Sequence, residues 1–263
     1  MVDVSLVLDD LAAESEDLDS LVAPLSEDEW ALDTPAPGWT IAHQIGHLAW
    51  TDEVAILAVT EPNAFRAQLR ERLAVSSLTD DNATLHAAMP RAELLANWRA
   101  GRAALAATLR TAPHRTKIAW FGPPMTPTSM ATARVMETWA HGQDVADALG
   151  VTRTPTARLR HVAHIGVRTR GYAFLVNDRT PPSEEICVVL TAPDGSVWTW
   201  GDPTAAQSVV GPALDFCLLV TQRRHRDDVS VVATGADADA WLNIAQAFAG
   251  PPGTGRAAGQ FSA

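Results

Sequence analysis

The spacing of apolar side chains constrains this chain more than any other feature, because it changes partway along. Through the first 150 residues, apolar positions recur at a helical period; after about residue 185 they alternate in short runs. Val4, Leu8, Leu11, Leu18, Leu21, Val22 and Leu25 trace one helix. Ile41, Ile45, Leu48 and Val54 trace a second, which Thr40 caps and Glu61-Pro62 ends near Thr60. Phe65, Leu69 and Leu73 mark a short helix over 63–75, and the polar run from Ser76 to Thr84 reads as a loop. Leu94, Leu95, Trp98, Leu105 and Leu109 carry a third long helix from Pro90 to Arg110, with Pro113 stopping it. Ser129 to Leu149 forms the fourth, with Gly150 as its C-cap.

Four long helices joined by loops predict an antiparallel four-helix bundle over residues 1–150. Residues 151–156 read as a linker, followed by a helix over about 157–176. Strands are expected over Glu185–Leu190 and Ser196–Trp200, joined by the turn Pro193-Asp194-Gly195. Helical period returns over Val209–Arg223, a strand follows over Asp228–Ala233, and a final helix runs over Asp237–Ala249. The fold class is therefore α + α/β: an N-terminal helical bundle, then a small C-terminal helix plus α/β domain over 157–263.

Composition removes several functional classes. The formal net charge is −11, and no Lys or Arg occurs before Arg66, which argues against a grip on nucleic acid. No apolar run reaches the roughly 18 residues of a membrane span, and Met1-Val2-Asp3-Val4 lacks the basic start of a signal peptide. These readings predict a soluble cytoplasmic protein acting on a small molecule, without a nucleic-acid or membrane partner. Cys187 and Cys217 lack metal-like spacing and read as buried thiols. Lys117 is the only lysine among many Arg and Ala residues, the signature of a GC-rich bacterial genome. Gly-x-Ser-x-Gly, P-loop and dinucleotide-binding fingerprints are all absent.

What remains is a possible metal centre. Glu137 and His141 are four residues apart, so a helix places them on one face, about 6 Å apart along its axis. His47, on another long helix, is a natural third ligand, and the core of a bundle is where such helices meet. Two imidazoles and a carboxylate suit zinc, iron or nickel, with abundance favouring zinc, and leave a coordination position open. Imidazole ligands need outer hydrogen-bond partners. Asp144 could bond an imidazole or cap neighbouring backbone. His43 is a further candidate, whose alternative is a helix N-terminal residue near water. His161 and His164 read as surface residues, and His86, His114 and His225 fall in loop-like polar contexts. Trp39, Trp50 and Trp139 flank the ligands as expected walls.

The segment Pro37-Gly-Trp-Thr-Ile-Ala-His-Gln-Ile-Gly-His-Leu48 resembles the early motif of the DinB-like superfamily, especially its mycothiol-dependent maleylpyruvate isomerase branch. Glu137-Thr-Trp-Ala-His-Gly-Gln-Asp144 resembles that branch's second motif, in the right order and about ninety residues later. The resemblance implies metal ligation, usually of zinc, by His47, Glu137 and His141. It implies a low-molecular-weight thiol, mycothiol, as co-substrate. A thiolate adds to an activated double bond, allows rotation and leaves, or attacks an electrophile and stays attached; isomerase and transferase chemistries both follow. It implies a C-terminal domain like that of sterol carrier proteins, carrying an Arg over the metal pocket. Leu218-Leu-Val-Thr-Gln-Arg-Arg224 matches that segment, making Arg223 (or Arg224) the group expected to clamp a carboxylate. Gln143 stands where an aromatic is expected in many relatives. Trp120, Phe121 and Met125, in the loop leading to Glu137, could line a substrate pocket or pack the bundle end.

Overall fold

The computed structural model of the chain describes residues 3–72 and 78–261. It divides into two compact units, Met1–Arg153 and Thr154–Ala263. Among the described residues, no helix is long and apolar enough to cross a membrane.

The first unit is helical: α1 (Val4–Val22), α2 (Glu27–Trp30), α3 (Ile41–Thr60), α4 (Pro62–Arg72), α5 (Leu78–Ala87), α6 (Arg91–Thr111) and α7 (Pro127–Leu149). Local chemistry sets the ends. Asp3 accepts from the Ser5 N–H to start α1. Thr126 caps α7 ahead of Pro127, and Gly150 ends it at φ 64°, a left-handed turn that glycine adopts without a Cβ clash.

Two apolar layers hold α1, α3, α6 and α7 together and fix their directions. In one layer the N-terminal residues Val4–Leu11 of α1 and Met130–Val135 of α7 meet the C-terminal residues Trp50–Ala58 of α3 and Leu105–Leu109 of α6. In the other, Leu18 and Val22 of α1 and Val145 of α7 meet Ile41–Ala49 of α3 and Leu94–Trp98 of α6. Helices α3 and α6 therefore run opposite to α1 and α7. Because α3 and α6 are parallel neighbours, the chain must cross the length of the bundle between them, and α4 and α5 occupy that crossover. Polar groups are buried in the bundle beside these apolar residues: Glu14, His47, Asp52, Arg134 and His141. Arg134 donates from Nε to Asp52 Oδ1 at 2.9 Å, tying α7 to α3 through an ion pair with almost no exposure.

Helix α5 corrects the expectation of a loop from Ser76 to Thr84; residues 76 and 77, and the end of the expected helix over 63–75, lie outside the described residues. Its sequence is polar because only one narrow face is buried. Ala83 and His86 pack on α3 at Gly46, where an added Cβ would come within 2.9 Å of His86 Cβ and 3.0 Å of the Ala83 carbonyl. His86, expected in a loop-like context, is thus buried and helical, with Nδ1 2.9 Å from the Asn82 carbonyl.

The second unit contains α8 (Leu159–Arg168), α9 (Arg170–Val176), β1 (Ile186–Thr191), β2 (Val197–Trp200), β3 (Gln207–Pro212), α10 (Ala213–Val220), β4 (Val232–Thr234) and α11 (Ala236–Leu242). Its sheet has the order β2-β1-β3-β4, with β1 and β3 parallel and the outer pairs antiparallel. The expected helix over 157–176 is two helices, broken at Thr169, whose hydroxyl lies 2.6 Å from the Gln246 carbonyl. The helix expected from Val209 is corrected to a strand followed by a shorter helix: Val209 and Val210 pair with Val188 and Val189, and Pro212 opens α10. The closing elements are shorter than expected, with a 3-10 turn at Arg226–Asp228 ahead of β4, and α11 ending at Leu242.

Candidate metal centre

His47 lies in α3 at the end of the second layer's span, three residues before Trp50 of the first, and Glu137 and His141 lie in α7 between Val135 of the first layer and Val145 of the second. Antiparallel packing of these helices brings the three side chains together. Glu137 Oε2 is 3.4 Å from His47 Nε2 and 3.3 Å from His141 Nε2. The imidazole rings are 4.5 Å apart between centroids. One ligand-type atom from each residue lies within 4.8 Å of the other two. Zinc–nitrogen and zinc–oxygen bonds of about 2.05 Å at tetrahedral angles require ligand atoms about 3.3–3.4 Å apart. The two Nε2–Oε2 separations match that edge, so the donor set fits a divalent ion.

Burial opposes the charge of Glu137, but the two imidazoles set against it outweigh burial and hold the carboxyl well below the ordinary carboxylate range. Both histidines are nearly shielded, at 8% and 9% exposure, which limits the site's access to water.

The surroundings are aromatic on one side and polar on the other. Trp39 stacks on His141 with centroids 5.9 Å apart and planes inclined by 17°, and lies 5.4 Å from His47. Its indole N–H donates to Asp80 of α5 at 3.0 Å. Trp50 is 5.9 Å from the His47 ring and 6.1 Å from Phe121, which packs with Trp120 and Phe65. Trp120, Phe121 and Met125 are only partly buried against the apolar layer beside Trp50. Trp139 is buried with the Arg153 guanidinium 5.8 Å above its ring. Arg153 also donates to the Trp139 carbonyl at 2.8 Å and pairs with buried Glu14, anchoring α7 beside the site.

The partner of His141 Nδ1 is Gln44, at 2.5 Å from Oε1. Gln44 was not singled out in the sequence, although it lies three residues before His47 and so shares its helix face. Asp144, weighed for an imidazole or capping role, is fully buried on α7. His43 caps α3 instead of joining the cluster: its Nδ1 accepts from the Thr40 N–H at 3.2 Å. Burial lowers its pKa, with Asp80 opposing. Arg223 belongs to the second unit, just past α10, where its Nη1 donates to the Thr221 carbonyl at 2.7 Å. Arg224 lies over the Phe261 ring at 4.1 Å. Cys187 and Cys217 are free and buried, as expected, and burial pushes the Cys217 thiol well above its ordinary pKa.

A helical bundle with a two-histidine, one-carboxylate cluster between α3 and α7, followed by a small mixed sheet, defines the class of protein. Residues 11–146 match the family described as the mycothiol maleylpyruvate isomerase N-terminal domain, and the chain belongs to that family. Residues 171–234 match a second family, described as wyosine base formation. An uncharacterized protein of Mycobacterium tuberculosis, present in two strains, is 58% identical over 258 residues, covering 97% of this chain and all of the relative. The crystal structure of the mycothiol-dependent maleylpyruvate isomerase superposes with a TM-score of 0.61 at 14% identity, covering 88% of this chain and 93% of that one. A histidine-to-alanine variant of that isomerase aligns with the same TM-score at 15% identity. At such identities the likeness establishes the fold.

Proposed function

We propose that this protein is a divalent-metal enzyme, with zinc as the ion, that activates mycothiol for isomerisation of, or thiol transfer to, a small electrophilic substrate in the cytoplasm. The convergence of two imidazoles on Glu137 Oε2, each Nε2 at a tetrahedral-edge separation from it, with all three residues offering ligand atoms within 4.8 Å of one another, carries the reading. Family membership supports the choice of thiol.

His47, Glu137 and His141 would hold the ion. When bound, it supplies the positive charge that favours the ionised form of a thiol. The residues around it make that charge effective. Glu137 stays ionised at neutral pH and gives the donor set a single negative charge. Three protein donors leave room for one external sulfur or oxygen. Trp39 and Trp50 wall the histidines off from water, and a drier surrounding strengthens electrostatic attraction to an anionic sulfur. The partly buried Trp120 and Phe121 offer an apolar surface to a substrate. In this reading Arg223 orients a substrate carboxylate, as a guanidinium does with two parallel hydrogen bonds.

Cobalt substitution tests the role of the thiol directly. Mycothiol added to the cobalt-loaded protein is expected to raise an intense near-ultraviolet sulfur-to-cobalt band, whereas S-methyl mycothiol raises none. An unchanged spectrum at saturating mycothiol overturns the thiol reading. Substrate turnover without any thiol would favour metal-assisted hydrolysis instead.

A further inference from the structure

We propose that Gln44 and Thr34 set the tautomer of His141, and thereby make it a metal ligand rather than a hydrogen-bond donor to Glu137. The inference rests on the metal reading for its purpose, but its geometry stands by itself.

The hydrogen-bond chain starts at a group whose role is fixed: the Trp39 carbonyl can only accept. The Thr34 hydroxyl lies 2.7 Å from it and the Thr34 N–H 2.8 Å from it, so both donate there. A hydroxyl has one proton. With that proton committed to Trp39, the Thr34 oxygen faces Gln44 as an acceptor, and the Gln44 amide nitrogen, 2.8 Å away, donates to it. The other end of the same amide is then its oxygen, 2.5 Å from His141 Nδ1. A carbonyl oxygen at that distance requires a proton on Nδ1. The neutral ring carries only one, so Nε2 presents its lone pair toward Glu137 Oε2, 3.3 Å away.

The reversed amide has a definite cost in this setting. Turned around, Gln44 would offer N–H to Nδ1 and oxygen to Thr34. The ring proton would move to Nε2 and point at Glu137, giving a histidine–glutamate hydrogen bond and no ligand. The Thr34 hydroxyl would have to turn to Gln44, leaving two oxygens 2.7 Å apart at Trp39 with no proton between them. Gln44 is fully buried and Thr34 is 9% exposed, so water has little access to repair the mismatch.

The relay also gives the segment before α3 a purpose. Thr34 and Trp39 are bonded across a tight loop that includes Gly38 at φ 78°, with Asp33 and Thr40 paired beyond it. One residue of that loop, Trp39, stacks on His141 through its ring and sets the His141 proton through its carbonyl. His47 has no matching device: its Nδ1 is buried without a hydrogen-bond partner among the described residues. Gln44 is therefore a positioning residue for one ligand of the pair.

Long-range nitrogen–proton NMR on metal-free, histidine-labelled protein at pH 8 reads the tautomer, with His141→Asn identifying the resonances. The expected result is protonated Nδ1 and bare Nε2 in the wild type. Gln44→Leu removes the acceptor; it should shift His141 toward the Nε2–H form and weaken zinc binding about 10–100-fold, as loss of an outer-shell partner does. Gln44→Glu retains an acceptor oxygen and should keep the Nδ1–H form. A wild-type Nε2–H tautomer overturns the proposal even if Gln44→Leu fails to fold. A folded Gln44→Leu protein with wild-type tautomer and zinc affinity overturns it as well. Protonated Nδ1 in a wild-type protein that takes up no zinc upholds the tautomer assignment and defeats the metal reading instead.

Discussion

Replacing Arg134 with Met should destabilise the bundle severely, in a way that acid relieves. Arg134 is 2% exposed and its partner Asp52 5%, so the pair sits almost wholly out of water. Arg134→Met preserves length and apolar bulk but removes the Nε donor 2.9 Å from Asp52 and the Nη2 donor 3.4 Å from the Leu48 carbonyl. The carboxylate left behind is buried and uncompensated, which costs about 3–5 kcal/mol. At about 2–4 °C per kcal/mol for a unit of this size, the melting temperature should fall by about 6–20 °C. Removing both charges in Arg134→Met/Asp52→Leu should restore most of the loss, since the pair gains little over a well-packed apolar contact.

The pH dependence has a definite sign. Burial already raises the Asp52 pKa, with Arg134 opposing it, so losing Arg134 raises it further. Between the unfolded and folded pKa values the native state holds a proton that the unfolded chain has lost, so stability from this group rises as pH falls. The gap between Arg134→Met and wild type should therefore be widest at neutral pH and close as pH falls toward the ordinary carboxylate range. Thermal and denaturant unfolding at pH 7 and 4.5 measures it. A variant within about 1 kcal/mol of wild type at pH 7, or a loss independent of pH, would refute the reasoning.

Three other substitutions probe packing and the substrate. Gly46→Ala drives a methyl into His86 and the Ala83 carbonyl and should cost about 1–3 kcal/mol, with amide exchange in α5 accelerating before that in α3. Gly166→Ala places its Cβ 2.7 Å from Val220 Cγ2, where α8 meets α10, and chemical denaturation should show a loss of about 1–3 kcal/mol in the second unit. Arg223→Gln should raise KM for a carboxylate substrate by about tenfold or more, the scale of a lost charge-assisted hydrogen bond, and leave zinc affinity unchanged; steady-state kinetics and zinc titration separate the two.

How much of this was readable in the sequence follows from how each element is stabilised. Helices α1, α3, α6 and α7 each bury a broad stripe, so the apolar period and their end signals located them closely. Helix α5 escaped because its polar run Thr79-Asp80-Asp81-Asn82 resembles a loop, and what keeps it helical is contact with α3 at Gly46. Strand β3 escaped because two valines before Gly211-Pro212 fit either period; pairing with β1 decides the matter, and that partner is remote in sequence. At the site, the i,i+4 spacing of Glu137 and His141 was legible, whereas the meeting with His47 depends on how α3 packs on α7. Gln44 was not legible for a different reason. Asp144 is the outer-shell candidate that sequence spacing offers on α7, whereas the group that bonds His141 Nδ1 projects from the neighbouring helix.

The central claim is that His47, Glu137 and His141 form a divalent-metal site, and zinc titration of the metal-free protein tests it most directly. Calorimetry should give one tight equivalent per chain in the wild type. That equivalent should be lost or greatly weakened in His47→Ala, Glu137→Gln and His141→Ala proteins that retain wild-type helical circular dichroism. A wild-type protein that takes up no zinc, or triad variants that bind it as tightly as the wild type, would contradict the account.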